Sequence, residues 1–222
     1  MKRTKPIRIV SVFQLKAKLG RVSPPVWRRV QIRSDATLEA LHECLQVAFG
    51  WAGSHLHSFS TETTVYGPGT LLDQIGGARD ERKVVLSDVF RRSCVTLHYE
   101  YDPGDGWVHR VVFERVVPPE LIRPYPWVVG GRGACPPEDV GGPWGYVRFL
   151  EAILDAHHPK HREMRKWYGG SFDPGRFDVS AVNRVLHGGD MPAPERPTTR
   201  STRHAPASPG LRRKPRATGR AR

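Results

Sequence analysis

The stretch Val95-Thr-Leu-His-Tyr-Glu-Tyr-Asp-Pro-Gly-Asp-Gly-Trp-Val-His-Arg-Val-Val-Phe113 decides the fold. Val95, Leu97, Tyr99 and Tyr101 alternate with polar neighbours, and so do Trp107, His109, Val111 and Phe113. A period of two places each set on one face of an extended strand. Between them stands Pro103-Gly-Asp-Gly106, which combines the fixed φ of proline with the freedom of glycine, as a tight turn requires. The stretch therefore predicts an antiparallel hairpin with one apolar face.

The same patterns appear upstream. Phe13, Leu15, Ala17 and Leu19 alternate with Gln14, Lys16 and Lys18, which predicts a strand with one wet face. After Pro24-Pro25 a second strand runs from Val26 to Arg33, with Val26, Val30 and Ile32 on one face, and pairs with the first. Leu38, Leu41, Leu45 and Ala48 recur at helical spacing between residues 37 and 49. Asp35 or Thr37 can cap that helix and Gly50 suits its end. Alternation returns at His55-Leu-His-Ser-Phe59 and predicts one strand reaching Tyr66. A Gly-rich loop then leads to Val84-Val85-Leu86, a short strand or turn before Asp88.

Downstream, a Pro-rich connection precedes three helices. The first starts near Pro143 and runs through Leu154. The second spans Pro159 to Tyr168 and ends at Gly169. The third is capped by Asp178 and ends at Gly188. The order is strand, strand, helix, strands, helices. That order predicts an α+β domain with a largely antiparallel twisted sheet, one helix after the first hairpin and a C-terminal group of three helices.

The chain of 222 residues is 38% hydrophobic, and the apolar deficit is concentrated at one end. Residues 190–222 hold nine Arg/Lys against two acids, and so carry +7 of the net +13. They also hold six prolines, one leucine and no aromatic residue. Such a segment cannot bury enough apolar surface to offset its ordering entropy, so a disordered Arg/Pro-rich tail is expected over residues 190–222, after a folded domain over residues 1–189. Arg212, Arg213, Lys214 and Arg216 would attract polyanions without reading sequence. The three cysteines, Cys44, Cys94 and Cys135, are scattered and show no metal-ribbon spacing. No secretory leader is read in the first residues and no apolar run has the length of a membrane span, so a cytoplasmic setting is expected.

Four groups of residues can carry chemistry. His55 and His57 lie two apart, on one face if both are in a strand, and could ligate a metal. The plainer alternative packs one of them under Trp51 or Phe59. Asp102, Asp105, Trp107 and His109 surround the hairpin turn. They either stabilise the turn and core or form an acid–imidazole cluster for a divalent cation or for acid–base work. Cys135-Pro-Pro-Glu138-Asp139 is a stiff loop with a thiol and two acids. It can complete that cluster or simply cover the sheet. Lys16, Lys18, Trp27, Arg28, Arg29 and Arg33 can form a basic face with an aromatic, suited to phosphate contact and stacking, or an ordinary solvated surface. P-loop, GxGxxG, HExxH and GxSxG patterns are absent from the sequence, so nucleotide-cofactor redox chemistry and kinase chemistry have no support.

In combination, Pro24-Pro-Val-Trp-Arg-Arg29, Leu38-Glu-Ala-Leu-His42, Ser54-His-Leu-His57 after Trp51, and Tyr99 through His109 are distinctive. So are Gly133-Ala-Cys-Pro-Pro-Glu-Asp139, Gly141-Gly-Pro-Trp-Gly-Tyr146 and Phe172-Asp-Pro174 with Phe177. In this order they resemble the plasmid pRiA4b ORF-3-like family over residues 10–188. The resemblance implies an α+β cytoplasmic protein associated with plasmids or insertion elements, sometimes labelled a transposon passenger or resolvase. It supplies no catalytic residues. Pro103 and Val108 depart from the family's usual Phe and acid, and Val108 removes a charge beside the turn. Resolvase chemistry does not fit the residues: Ser11 sits at an antiparallel-looking strand, and no terminal helix pair reads as a DNA-recognition motif.

Three function classes follow. The leading one is a non-enzymatic accessory protein associated with nucleic acid, largely through the tail. The second is a metal-assisted hydrolase built from the His/Asp cluster and the Cys135–Asp139 loop, with a divalent metal as its cofactor. The third is a protein-interaction module presenting Trp27, Trp51 and Trp107. No membrane partner is expected.

Overall fold

The computed structural model describes residues 11–72, 75–90 and 95–190. Cys94, the leader expectation and the tail with Arg212, Arg213, Lys214 and Arg216 lie outside the described residues. Strands β1 (Val12–Leu19) and β2 (Trp27–Arg33) pair antiparallel, with Lys16 opposite Arg29 and Lys18 opposite Trp27. Helix α1 (Leu38–Phe49) follows. Its first turn is capped by Thr37, whose hydroxyl accepts from the Ala40 amide at 3.1 Å, and Gly50 ends it in the left-handed region at φ 87°.

The strand expected from His55 to Tyr66 is two strands, β3 (His57–Ser60) and β4 (Val65–Gly67). The Thr61–Thr64 turn separates them: the Thr61 hydroxyl accepts from the Thr64 amide and the Thr61 amide donates back to the Thr64 carbonyl. Next come α2 (Gly69–Leu72), β5 (Arg79–Asp80), a 3-10 turn at Glu81–Lys83 and α3 (Leu86–Val89). The central hairpin is β6 (Thr96–Tyr101) and β7 (Trp107–Val117), and Tyr101 faces Trp107 across it.

Strand β8 (Trp127–Arg132) replaces part of the expected Pro-rich connection. It pairs with β2 despite Gly130 and Gly131, and its outer edge is closed by a side chain. The Val128 amide donates to Asn183 Oδ1, and Asn183 Nδ2 donates to the Val128 carbonyl, both at 2.8 Å. Helices α4 (Gly142–Leu154), α5 (His161–Tyr168) and α6 (Val179–Leu186) complete the domain as expected. Asp178 caps α6 and Gly169 ends α5.

The eight strands form one sheet in the order β5-β4-β3-β6-β7-β1-β2-β8. Every neighbouring pair is antiparallel except β4 with β5. One face is apolar. Leu15, Val30, Phe59, Leu97, Tyr99, Val111 and Val128 are fully buried there, against Leu38, Leu41 and Leu45 of α1 and Tyr146 and Phe149 of α4. Burying each large side chain contributes roughly 2 kcal/mol. On the other face Lys18, His98, Val108 and Arg110 are exposed.

Arg28 corrects the expected basic face. Its even position puts it with Val26, Val30 and Ile32, and it is 2% exposed. The guanidinium donates to the carbonyls of Ala48, Trp27, Arg132 and Gly133 at 2.6–2.9 Å and lies 3.9 Å from the Phe177 ring. Burial lowers its pKa to about 10, so it stays charged at neutral pH. It ties the C-terminal turn of α1 to the end of β8. Arg33 is also spent, in a two-point pair with Asp35. Ser11 precedes β1, which is antiparallel to both its neighbours, and this is not the parallel setting of a serine resolvase. Among the described residues no helix is long and apolar enough to cross a membrane.

Candidate functional site

The end of the β6–β7 hairpin meets two other segments, residues 51–56 and the Pro136–Gly142 loop. Asp102 opens the hairpin turn. Its Oδ1 accepts from the amides of Gly104 and Asp105 at 3.0 and 3.3 Å, and its carbonyl accepts from Gly106. Asp102 and Asp139 hold left-handed backbone, at φ 52° and 58°. Aspartate tolerates that region better than bulkier residues, though such geometry still costs of order 1 kcal/mol.

The loop is fastened to the hairpin at several points. The Gly141 amide donates to Asp105 Oδ2 at 3.2 Å, and Gly142 packs so tightly on the Asp105 carbonyl that a Cβ there would collide with it. The Tyr101 hydroxyl donates to Glu138 Oε1 at 2.5 Å and accepts from the Ser54 amide at 3.1 Å. Burial first, then the bond to Glu138, raises the Tyr101 pKa to about 12. Glu138 Oε1 also accepts from the Ala52 amide, and Trp51 Nε1 donates to the Pro136 carbonyl. Glu138 and Asp105 thus hold the frame together.

Within this frame His55 sits between two carboxylates. Its Nδ1 is 3.7 Å from Asp102 Oδ2 and its Nε2 is 3.5 Å from Asp139 Oδ1. One ligand atom from each of the three residues lies within 4.8 Å of the others. An imidazole with two carboxylates suits borderline and hard divalent cations. Beside Asp139 opens a cavity of about 460 Å³ between α4 and α5, lined among others by Arg148, Phe149, Lys160, Met164 and Trp167. Arg148 and Lys160 make no ion pair among the described residues.

Other candidates sit elsewhere. His57 does not join His55, because β3 begins only at His57 and strand alternation does not extend back to His55. His57 is buried, and its Nε2 donates to Glu81 at 2.9 and 3.1 Å. Its ring stacks on His42 at 3.5 Å. Tyr99 accepts from Gln46 Nε2 at 2.7 Å and donates to His42 Nδ1 at 2.8 Å. His109 is a core histidine: fully buried, it donates from Nδ1 to the Tyr99 carbonyl at 3.2 Å and meets Phe49 and Trp51 edge-on. Burial holds its pKa down at about 3, so it is neutral.

Trp107 is 1% exposed and Trp51 6%, so the aromatic surface expected for a protein partner reduces to Trp27. Cys135 is no activated thiol, because burial raises its pKa above the ordinary value. Tyr101 and Ser54 were not among the sequence candidates. Tyr101 was visible only as a core-parity residue beside Asp102, and Ser54 acts through its backbone amide.

Structurally the chain is an α+β domain whose hairpin end and one stiff loop frame an imidazole–carboxylate cluster. Residues 11–181 match the plasmid pRiA4b ORF-3-like protein family, and the chain belongs to it. It is 40% identical over 182 residues to the uncharacterized protein y4hQ of Sinorhizobium fredii strain NGR234, a match covering 80% of this chain and 92% of that protein. The solved structure of MM3350, a protein of unknown function from Methanosarcina mazei Go1, superposes with a TM-score of 0.71 at 32% identity. That match covers 78% of this chain and 97% of MM3350.

Proposed function

We propose that His55, Asp102 and Asp139 bind a divalent cation that serves metal-assisted hydrolysis of an anionic ester. The observation that carries this reading is that one ligand atom from each of the three side chains lies within 4.8 Å of the others, with Asp139 exposed at the rim of a cavity. Three protein ligands leave coordination positions for water and substrate, as catalytic rather than structural sites do. A bound cation acidifies its water and polarises the ester. The cation would engage Asp139, which leaves Arg148 and Lys160 to face the anionic part of a substrate, with Trp167 and Met164 covering its apolar part. Fastening by Glu138 and Asp105 keeps the loop bearing Asp139 in register with the hairpin bearing Asp102.

The test is calorimetric titration of chelator-treated full-length protein with Mn²⁺, Zn²⁺ and Mg²⁺. One site per chain is expected, and His55→Ala and Asp139→Asn each weaken it at least tenfold. Protein that takes up none of the three cations overturns the reading.

A further inference from the structure

The outer face of the sheet is basic and carries an aromatic, and none of its residues belongs to the His55–Asp102–Asp139 cluster. Strand register orders its side chains into rows that cross the strands. One row runs His98, Arg110, Lys18, Trp27, and the next runs Thr96, Val112, Lys16, Arg29. A third runs Arg115, Gln14, Gln31, Trp127. Rows two residues apart are spaced by about 6.8 Å.

Two cross-strand pairs in these rows are like-charged. Lys18 stands directly opposite Arg110, and Lys16 directly opposite Arg29. Like charges in that relation destabilise a sheet. Arg29 is compensated by a two-point pair with Glu114 at 2.7 and 2.9 Å. Lys16, Lys18, Arg110 and Arg115 make no ion pair among the described residues. Another acid on this face, Glu100, lies opposite Val108, one row beyond Lys18. An aromatic is built into the same surface: the partly exposed Trp27 ring lies 4.8 Å from the Lys16 ammonium and 5.3 Å from the Arg29 guanidinium.

We propose that this face is a docking surface for single-stranded nucleic acid. Its phosphates neutralise the opposed Lys18–Arg110 pair and Lys16, and its bases stack at Trp27. Charge complementarity selects a polyanion, because cations recur row after row and outnumber the acids, Glu114 being engaged by Arg29. A surface aromatic among them selects unpaired bases, whose faces are free to stack. Residues 190–222 add cations of their own to any such complex, so the signature of the sheet face is a difference between full-length proteins that share that segment.

Lys18→Glu turns a repelling cross-strand pair into an attracting one. It is expected to raise the thermal midpoint while weakening binding of a fluorescent twelve-residue oligothymidine about tenfold. Lys16→Gln with Lys18→Gln is expected to reduce the slope of log affinity against log salt by about 1.4, because two phosphates of the single strand are no longer neutralised. A duplex of equal length is expected to bind more weakly than the single strand at the same salt. Unchanged affinity and salt slope in both variants overturn the proposal and leave residues 190–222 as the whole source of binding. Preference for the duplex overturns it as well.

Discussion

Two clusters in this molecule join imidazole to carboxylate, and they differ in access to water more than in composition. His57, Glu81, His42 and Tyr99 form the buried one, and every residue of the His57–Glu81 pair and its Tyr99 neighbour is enclosed. His55, Asp102 and Asp139 form the open one, with Asp139 largely exposed. In the buried cluster the carboxylate is consumed by the imidazole at hydrogen-bond distance. In the open cluster the same groups stand 3.5–3.7 Å apart, close enough to converge and too far to satisfy one another. Burial turns imidazole–carboxylate chemistry into a structural pin, and exposure leaves it available.

The sharpest way to break this contrast is to remove one carboxylate from each cluster. Glu81→Ala leaves His57 unpaired in the core and is expected to lower the unfolding free energy by about 3–5 kcal/mol, read from urea denaturation. A loss under about 1 kcal/mol would show that water already reaches the pair.

A smaller effect should follow pH. His42, in the buried cluster, and His109 next to Tyr99 both have pKa values lowered from 6.5 to about 3, each chiefly by burial. Between those values the unfolded chain binds a proton that the folded chain refuses. Their contribution is therefore complete above pH 6.5 and is lost as the pH falls toward 3. For His109 alone, going from pH 7 to pH 5 is expected to remove roughly 2 kcal/mol. His109→Leu should flatten that part of the slope.

The smallest stability change belongs to the open cluster. Asp102→Asn keeps an acceptor for the turn amides and tolerates the same backbone, so stability should move by about 0.5 kcal/mol or less. Cation affinity in the same variant should fall at least tenfold. A large stability loss with unchanged affinity would assign Asp102 to the turn alone.

The hairpin was legible because its alternation and its Pro-Gly-Asp-Gly turn agree, and α1, α4 and α6 because their end signals and apolar spacing agree; α5, which buries no residue, was marked by Pro159 and Gly169. Arg28 was misplaced: its parity matches Val26, Val30 and Ile32, but its charge type argued for the surface and concealed a buried guanidinium held by carbonyls. Strand β8 was hidden by Pro124, Pro126, Gly130 and Gly131, which read as a connector. It persists because β2 and Asn183 supply partners from far along the chain. At the site, Asp102 and Asp139 were both recognisable as candidates, yet nothing local shows that residues 37 positions apart meet over His55. The separation of His57 from His55 was equally invisible, because it depends on where β3 begins.

Asn183 has a further consequence. Its amide presents to Val128 the same donor–acceptor couple that a ninth strand would present. A second molecule approaching that margin edge-on finds the Val128 amide and carbonyl already occupied. One side chain on a helix thereby blocks strand addition at Val128, the kind of edge protection that limits edge-to-edge pairing of sheets.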